Sequence, residues 1–570
     1  MKKYSYLLLL CLLMLCFTGC GSTPDTPPPP ETSATSPAPE IPEEQVRFVS
    51  GTTFSGRRRP AVIPDGGQIL DPSPAKGENA EAGKKIYTVN NPHAGEIIGI
   101  KEQTVGKTNR IVEAAAKPGY RFVCWSDGLT ASSRTDTEAG LYTAVFDYDI
   151  AAMPILVIHT ADEAPIESKE TYVPASVSLY GCEEKYVLEG AEAEIRGRGN
   201  NSWTYPKKSY KCKLAEKENL LGLAAGKERI WCLLANQCDM SLQRNRISFE
   251  FCRYMNGFSW SPACTPVEVY LNGEYEGVYL LTEEIKVSGD RVDIADTEPD
   301  AVETGYLVEM SNYAEGDTVF TAHGRSYMIH SELSSSSGIR KQQTEYIRQT
   351  LTEAHEALMS GDREKAEACI DLDSLLAAYL VQETIENLDS QWDSFYIHKD
   401  TGGKLTFGPI WDFDLTMGNA DDGSENPEGI FVGNGRGSGN SYESWFGAAM
   451  ACSWFREMVA EKWAEVYDSY VQMPLFIRDE AALGLASYER NFQKWQIFGQ
   501  KQNRETSAVL SLRDYESHIR YLTEWLETRI AWLDDLFRDP AFVTEGKGLT
   551  DYAYRLSLQK SGFLGNPGQS

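Results

Sequence analysis

Residues 383–419 read ETIENLDSQWDSFYIHKDTGGKLTFGPIWDFDLTMGN, and this stretch constrains the fold more tightly than any other part of the chain. Apolar residues spaced by three and four predict a helix over 373–387, just ahead of Asp389. A strand FYIHK follows, then a turn at Thr401-Gly402-Gly403, then a second strand KLTFGPI that delivers Trp411-Asp412-Phe413-Asp414 at its end. Carboxylates at the mouths of paired strands suit a divalent cation and a polyphosphate. For any single acid, a solvated loop position is the plainer alternative. These acids, however, sit among Trp392, Phe395, Phe407, Trp411 and Phe413, and acids in apolar company need a partner.

Upstream, strand patterns recur at 154–160, 176–180, 191–195, 267–271, 277–281 and 305–310, and Asn272-Gly273 marks a tight turn. Arg196-Gly197-Arg198-Gly199-Asn200 is Gly-rich, which lets backbone N–H groups approach a phosphate, although its spacing is neither a Walker A nor a Rossmann fingerprint. Tyr210, Cys212 and Leu214 alternate with Lys211 and Lys213, so both lysines share one face of a half-buried strand. With Lys207 and Lys208 they make a basic cluster in a chain of formal charge −29. The plain reading is a basic solvent face. The functional one is a cleft lysine that neutralises phosphate, with Lys213 first and Lys211 second. A helix is predicted at 241–254, and helices at 342–359, 454–467, 479–495 and 512–537 dominate the second half. The glycine-, asparagine- and acid-rich residues 420–442 predict a loop, and the tryptophans spaced along the last helices read as core.

The start, MKKYSYLLLLCLLMLCFTGCG, has a basic pair and an apolar run at 6–17 that is too short for an ordinary membrane span. Phe17-Thr18-Gly19-Cys20 resembles a bacterial lipoprotein processing box, which makes residues 1–19 a lipoprotein signal peptide and Cys20 a lipid-bearing terminus at the outer face of the cell membrane. A plain secretory signal is the alternative. Residues 20–44 are rich in Pro, Thr and Ser with almost no apolar mass, and read as a tether. Residues 45–150 form an irregular segment and a small all-β module that resembles the aromatic β-repeats of bacterial surface proteins. The larger domain spans 151–540, and 541–570 reads as a polar tail. The acidic charge argues against nucleic acid as a partner. Nine cysteines remain beyond Cys20, an odd number with no CxxC pair, so buried free thiols are expected rather than disulfides or a thiolate zinc site.

Several motifs stand in one order: Arg198-Gly199-Asn200-Asn201-Ser202-Trp203, Pro206-Lys207-Lys208-Ser209-Tyr210, Leu233-Leu234-Ala235-Asn236, Val267 to Tyr275, Gly277 to Glu283, Asn387-x-Asp389, Ser394-Phe395-Tyr396 and Gly408 to Asp414. In this set the chain resembles the spore-coat CotH kinase family over about residues 152–536, and Arg244-Asn245 resembles that family's Arg-Asn pair. Members are similar to atypical, secretory-pathway-type protein kinases. The resemblance implies an α+β, atypical protein-kinase-like two-lobed domain, β-rich first and helical second, with ATP and Mg²⁺ or Mn²⁺ between the lobes. It implies Asp389 as the group that orients or deprotonates the acceptor hydroxyl, and Asp412, Asp414 and Ser394 as metal ligands. Arg198, Asn200, Lys208, Lys211, Lys213 and Glu283 would contact the nucleotide, with Glu283 otherwise structural or paired with a lysine. Ser394 stands where ordinary kinases carry a metal-binding Asn, and a hydroxyl is a poorer ligand than an amide oxygen. The implied function is metal-dependent ATP:protein phosphotransfer to serine, or another hydroxyl, of exported or surface proteins. A catalytically inactive surface scaffold and a wall-associated structural protein are the alternatives.

Overall fold

Tyr87, Val112, Trp125, Tyr142 and Phe146 are spaced so that small strands bury one aromatic face, and they do so in the first folded module. A computed structural model describes residues 83–149, 153–295, 300–311, 318–387, 389–421, 423–434 and 444–550. The expected signal peptide, the tether and the tail beyond 550 lie outside them. The module contains β1 (Lys84–Val89), β2 (Gly95–Ile98), β3 (Glu102–Thr104), β4 (Val112–Ala116), β5 (Tyr120–Trp125), β6 (Ser133–Arg134) and β7 (Gly140–Tyr148). They form a sheet of order β3-β1-β7-β5 and another of order β2-β4-β6.

Next come β8 (Ile155–Thr160), β9 (Val173–Tyr180), β10 (Leu188–Arg198), β11 (Ser209–Glu218), β12 (Glu228–Leu234), β13 (Cys264–Leu271) and β14 (Glu274–Glu283), with helix α1 (Arg244–Arg253) between β12 and β13. The seven strands close into a barrel of order β10-β11-β12-β14-β13-β8-β9, so no edge is left open. Its interior takes every second residue: Tyr210, Cys212 and Leu214 of β11, Trp231 and Leu233 of β12, Tyr279 and Leu281 of β14. The residues between them on β12 and β14, namely Cys232, Leu234, Val278 and Leu280, belong to a second and larger core shared with the helices. Strands buried on both faces are continuously apolar, which is why LL and VYLL recur here. The Asn272-Gly273 turn forms as read from the sequence, with φ of 49° and 80°.

The second part holds a five-stranded sheet of β15 (Tyr306–Met310), β16 (Val319–Ala322), β17 (Arg325–Ile329), β18 (Phe395–Lys399) and β19 (Leu405–Ile410), in the order β16-β17-β15-β18-β19. Around it pack α2 (Ser337–Met359), α3 (Arg363–Cys369), α4 (Leu372–Thr384), α5 (Trp445–Met450), α6 (Ser453–Tyr470), α7 (Met473–Leu483), α8 (Leu485–Lys494), α9 (Ser507–Ser511), α10 (Tyr515–Phe537) and α11 (Pro540–Glu545). The fold is α+β, as expected. Helix α4 is buried on almost every side; Asp371 caps its start by accepting from the N–H groups of Asp373 and Ser374 at 3.1 and 3.2 Å. The single helix expected at 479–495 is two, because Gly484 separates α7 from α8: a Cβ there would come within 2.5 Å of Met153 and 2.6 Å of Tyr488. All nine described cysteines are free, and seven are buried. Among the described residues no helix is long and apolar enough to cross a membrane.

Candidate active site

The β18–β19 hairpin and its flanks carry the site. Helix α4 is pinned by Arg529 of α10, which forms a buried ion pair with Glu383 at 2.6 Å and meets Glu386 at 2.8 Å. Both oxygens of Glu383 also accept backbone N–H groups of the following loop, from Phe431 at 2.6 Å and Gly433 at 2.9 Å. The helix therefore ends at a fixed point, and Asp389 follows with its N–H donated to Asn387 Oδ1 at 3.1 Å. Strand β18 then pairs with β19, which ends at Ile410 and delivers Trp411 to Asp414.

The delivered segment is held from behind. Phe413 N–H donates to Asn245 Oδ1 at 2.9 Å, and Asn245 Nδ2 donates to Asn236 Oδ1 at 3.0 Å. Arg244 reaches the carbonyls of Thr416 and Met417 at 2.9 and 3.1 Å while pairing with buried Asp239 at 2.6 Å. The first turn of α1 is thus a clamp on residues 413–417. Phe249 of the same helix packs its ring against Trp411 and Phe413. Strain gathers here too. Of the twelve non-glycine residues with positive φ among those described, Glu386, Gln391, Ser394, Asp412 and Met417 fall in this one segment. Each costs about 1–3 kcal/mol, and such residues concentrate at functional sites.

Asp412 is exposed to solvent although much protein lies around it. Those surroundings raise its pKa by desolvation; Arg198 opposes the rise, as does the Ser394 hydroxyl, which donates to Asp412 Oδ2 at 3.4 Å, while Glu309 adds to it. Asp414 is pushed well above the usual carboxylate range, first by desolvation, then by the charges of Asp412, Asp389, Asp239 and Glu505. Asp389, Asp412 and Asp414 therefore share one electrostatic neighbourhood. Carboxylates that repel one another at depth are relieved by a proton or by a cation.

The proposed nucleotide residues divide. Arg198 stands at the site, with its guanidinium 5.3 Å from the Trp411 ring. It is the last residue of β10, so the Arg196 to Arg198 run is strand rather than a loose Gly-rich loop. Lys211 lies on the barrel's outer face opposite Cys232 and pairs with Glu284. Arg198, Glu284 and Lys211 all act on the Cys232 thiol, whose pKa is raised by burial, so Lys211 belongs to the same side as Arg198. Lys213 lies further along, half-exposed and paired with Glu194 at 2.5 Å. Lys208 donates to the Trp203 carbonyl at 2.6 Å, bracing the turn at Asn201–Thr204. Asn200 is exposed and accepts from Lys169 at 3.3 Å. Glu283 is buried, pairs with Arg291 at 3.3 Å and accepts the Ala263 N–H at 3.0 Å; burial pushes its pKa up to about 6. The acid that meets a lysine is its neighbour, Glu284.

Three contributors carried no signal in the sequence. Glu505 arrives from a loop between α8 and α9 and accepts the N–H groups of Gln502 and Asn503 at 2.9 and 2.8 Å. Asp239 has no apolar periodicity around it. Tyr205 is charge-coupled to Asp414 and Glu505 and sits beside Cys238. Among the described residues no group of three or more His, Cys, Asp and Glu side chains is gathered for metal binding. Two protein carboxylates fit Mg²⁺ all the same, because that ion takes few protein ligands and completes its shell with phosphate oxygens and water.

A family model described as CotH kinase protein matches residues 195–533, which hold the last strands of the barrel, the clamp, the hairpin and Glu505. The chain belongs to the CotH kinase family. A search of curated proteins returned no match.

Proposed function

We propose that this protein is a metal-dependent ATP:protein phosphotransferase that acts on serine, or another hydroxyl, of exported or surface proteins. The observation that carries the reading is the convergence of Asp389, Asp412 and Asp414 beside Arg198, with each acid's charge felt by Asp414. In this reading the barrel and the helical part are the two lobes. Asp412 and Asp414 are the residues to hold Mg²⁺ or Mn²⁺; when bound, the ion and ATP supply the transferable phosphoryl group and neutralise its charge. Arg198 offsets Asp412 and faces the incoming phosphates. Asp389 orients the acceptor hydroxyl and takes its proton on a carboxylate oxygen. Ser394 positions Asp412 through its hydroxyl. Lys211, held by Glu284 and sharing the Cys232 neighbourhood with Arg198, is preferred over Lys213 as the lysine of this chemistry. In this reading the enzyme works at the outer face of the membrane, lipid-anchored through Cys20, with the Pro-rich stretch as tether; the sequence of the Cys20 box supports it. A non-catalytic scaffold is the second reading, favoured by Ser394 at a position where kinases place an amide.

Transfer of labelled γ-phosphate to exported proteins tests both. The unmodified protein should label a serine with Mg²⁺ or Mn²⁺ and lose all labelling with EDTA. Asp389→Asn should keep ATP affinity by calorimetry but lose transfer by roughly 10²–10⁴-fold. Asp412→Asn should weaken the metal-dependent part of ATP binding. No labelling by the unmodified protein across divalent metals, with itself and exported proteins as acceptors, makes the scaffold the better account.

A further inference from the structure

The N-terminal module has a rim that neither its core nor the proposed chemistry explains. Of the ten large apolar residues exposed among those described, six lie between Ile98 and Leu129. Four belong to one stretch, residues 98–111: Ile98 at 52 %, Ile100 at 43 %, Val105 at 36 % and Ile111 at 68 % exposure. The same stretch carries exposed Lys101, Lys107 and Arg110, which form no ion pair among the described residues. Its one acid, Glu102, is paired with Lys84.

These side chains are brought together by the fold. Gly99 lies so close to the opposite loop that a Cβ on it would stand 3.1 Å from the Ile111 carbonyl, which puts Ile98 and Ile100 beside Ile111. The buried Gln103 amide staples the two loops: its Nε2 donates to the carbonyls of Ile100 and Arg110 at 3.2 and 2.9 Å, and its Oε1 accepts from the Arg110 N–H at 2.9 Å. Lys85, buried beneath, donates to the Thr108 carbonyl at 2.7 Å and Asn109 Oδ1 at 3.3 Å. The rim is therefore a preformed surface that alternates aliphatic tips with cations. The ladder sets Glu113 opposite Ile98, so the cationic part of the rim is the 101–110 end.

We propose that this rim rests on an anionic lipid surface. Aliphatic side chains that enter the headgroup boundary, flanked by Lys and Arg that reach the phosphates, are the chemistry of interfacial binding. The charge agrees: the module carries eight Lys and Arg against eight Asp and Glu, in a chain whose total is −29. A membrane with negative headgroups would repel the remainder and accept this rim. Val105 N–H donates to the Gly83 carbonyl at 2.9 Å, which ties the rim to the first strand of the module. The inference does not depend on phosphotransfer, and it does not require lipid on Cys20.

Hydrogen exchange on the full chain tests it, with Cys20→Ala so that no lipid can be attached. Vesicles of phosphatidylglycerol and phosphatidylcholine should slow exchange at residues 99–111, and pure phosphatidylcholine vesicles should do so far less. Lys101→Glu/Lys107→Glu/Arg110→Glu should weaken the rim's partitioning by roughly 100-fold or more. Ile98→Ser/Ile100→Ser/Ile111→Ser should abolish the protection at an unchanged melting temperature, since these side chains are already exposed. Protection confined to the first twenty residues, or equal protection by both vesicle types, overturns the proposal. Protection of 99–111 by an exported-protein fraction but not by vesicles overturns it in favour of a protein partner.

Discussion

Lys207 lies wholly inside the protein, and all three of its protons have acceptors: the carbonyls of Ala235 and Val278 at 3.0 and 2.5 Å and Asn491 Oδ1 at 2.9 Å. Burial lowers its pKa from 10.5 to about 7, against the pull of Glu276. Between those two values the unfolded chain binds more protons than the folded one, so this residue makes stability rise with pH across that window. Below it both states are protonated and the burial cost is fully present. Denaturant melts of the parent and of Lys207→Met should therefore diverge from pH 7 to pH 9, the parent gaining by at most roughly 1.4 kcal/mol per pH unit. At pH 9 the variant should be less stable by a few kcal/mol, because the buried acceptors lose the two N–H groups that the neutral amine still donates. A parent that gains nothing on the variant as pH rises would show that Lys207 is not titrating in this range.

At the scale of elements, α8 joins the barrel to the helices. Its Asn491 also accepts the Val278 N–H at 3.1 Å, and Trp495 just beyond it donates to the Glu276 carbonyl at 2.8 Å. Arg490 meets buried Glu268 at 3.3 Å and Asp149 at 2.9 Å. Glu268 in turn accepts the Tyr275 hydroxyl at 2.8 Å, and desolvation raises its pKa to about 7 despite Arg490. One guanidinium thus ties helix, barrel and module. Arg490→Met strands a buried carboxylate and should cost about 3–5 kcal/mol, read as a lower melting temperature. A loss below ~1 kcal/mol would mean that the pair is a solvated contact. Gly277 faces Asn491 so closely that a Cβ would come within 2.5 Å of its Oδ1, and its φ of +104° bars side chains as well.

Across the whole molecule, the module and the barrel share a core. Ile155, Val157, Tyr270 and Tyr275 of the barrel pack with the module's aromatics. Tyr270 and Tyr120 each donate a hydroxyl proton across the junction, to the Gly119 and Gly273 carbonyls. The Tyr148 and Tyr270 rings meet at 4.5 Å. A chain shortened to begin at Met153 would expose four large apolar side chains, at about 1.5–3 kcal/mol each. It should melt earlier and bind an apolar dye that the full chain does not. If it melts with the full chain, the junction is dispensable and the module behaves as a spacer.

The hairpin that carries the acids was readable from residues alone, since alternation, a Gly-Gly turn and flanking aromatics are local signals. So were the α+β class and most helices, because apolar spacing of three and four persists over many residues. Helix bounds moved where packing intervened, as at Gly484, whose missing side chain makes room for Met153. The role of each lysine was not readable. Lys211 and Lys213 share a strand face; the β10–β11 register sets Glu194 opposite Lys213, and the end of β14 brings Glu284 to Lys211. Glu505 and Asp239 reach the site from segments far apart in sequence with no periodic pattern. The sequence by itself determined which residue types could do chemistry and where strands and helices run, because those depend on neighbours a few positions away. Only the tertiary structure decided which charges meet, because Coulomb interactions and burial depend on distance through space, which closing a barrel and clamping a hairpin create.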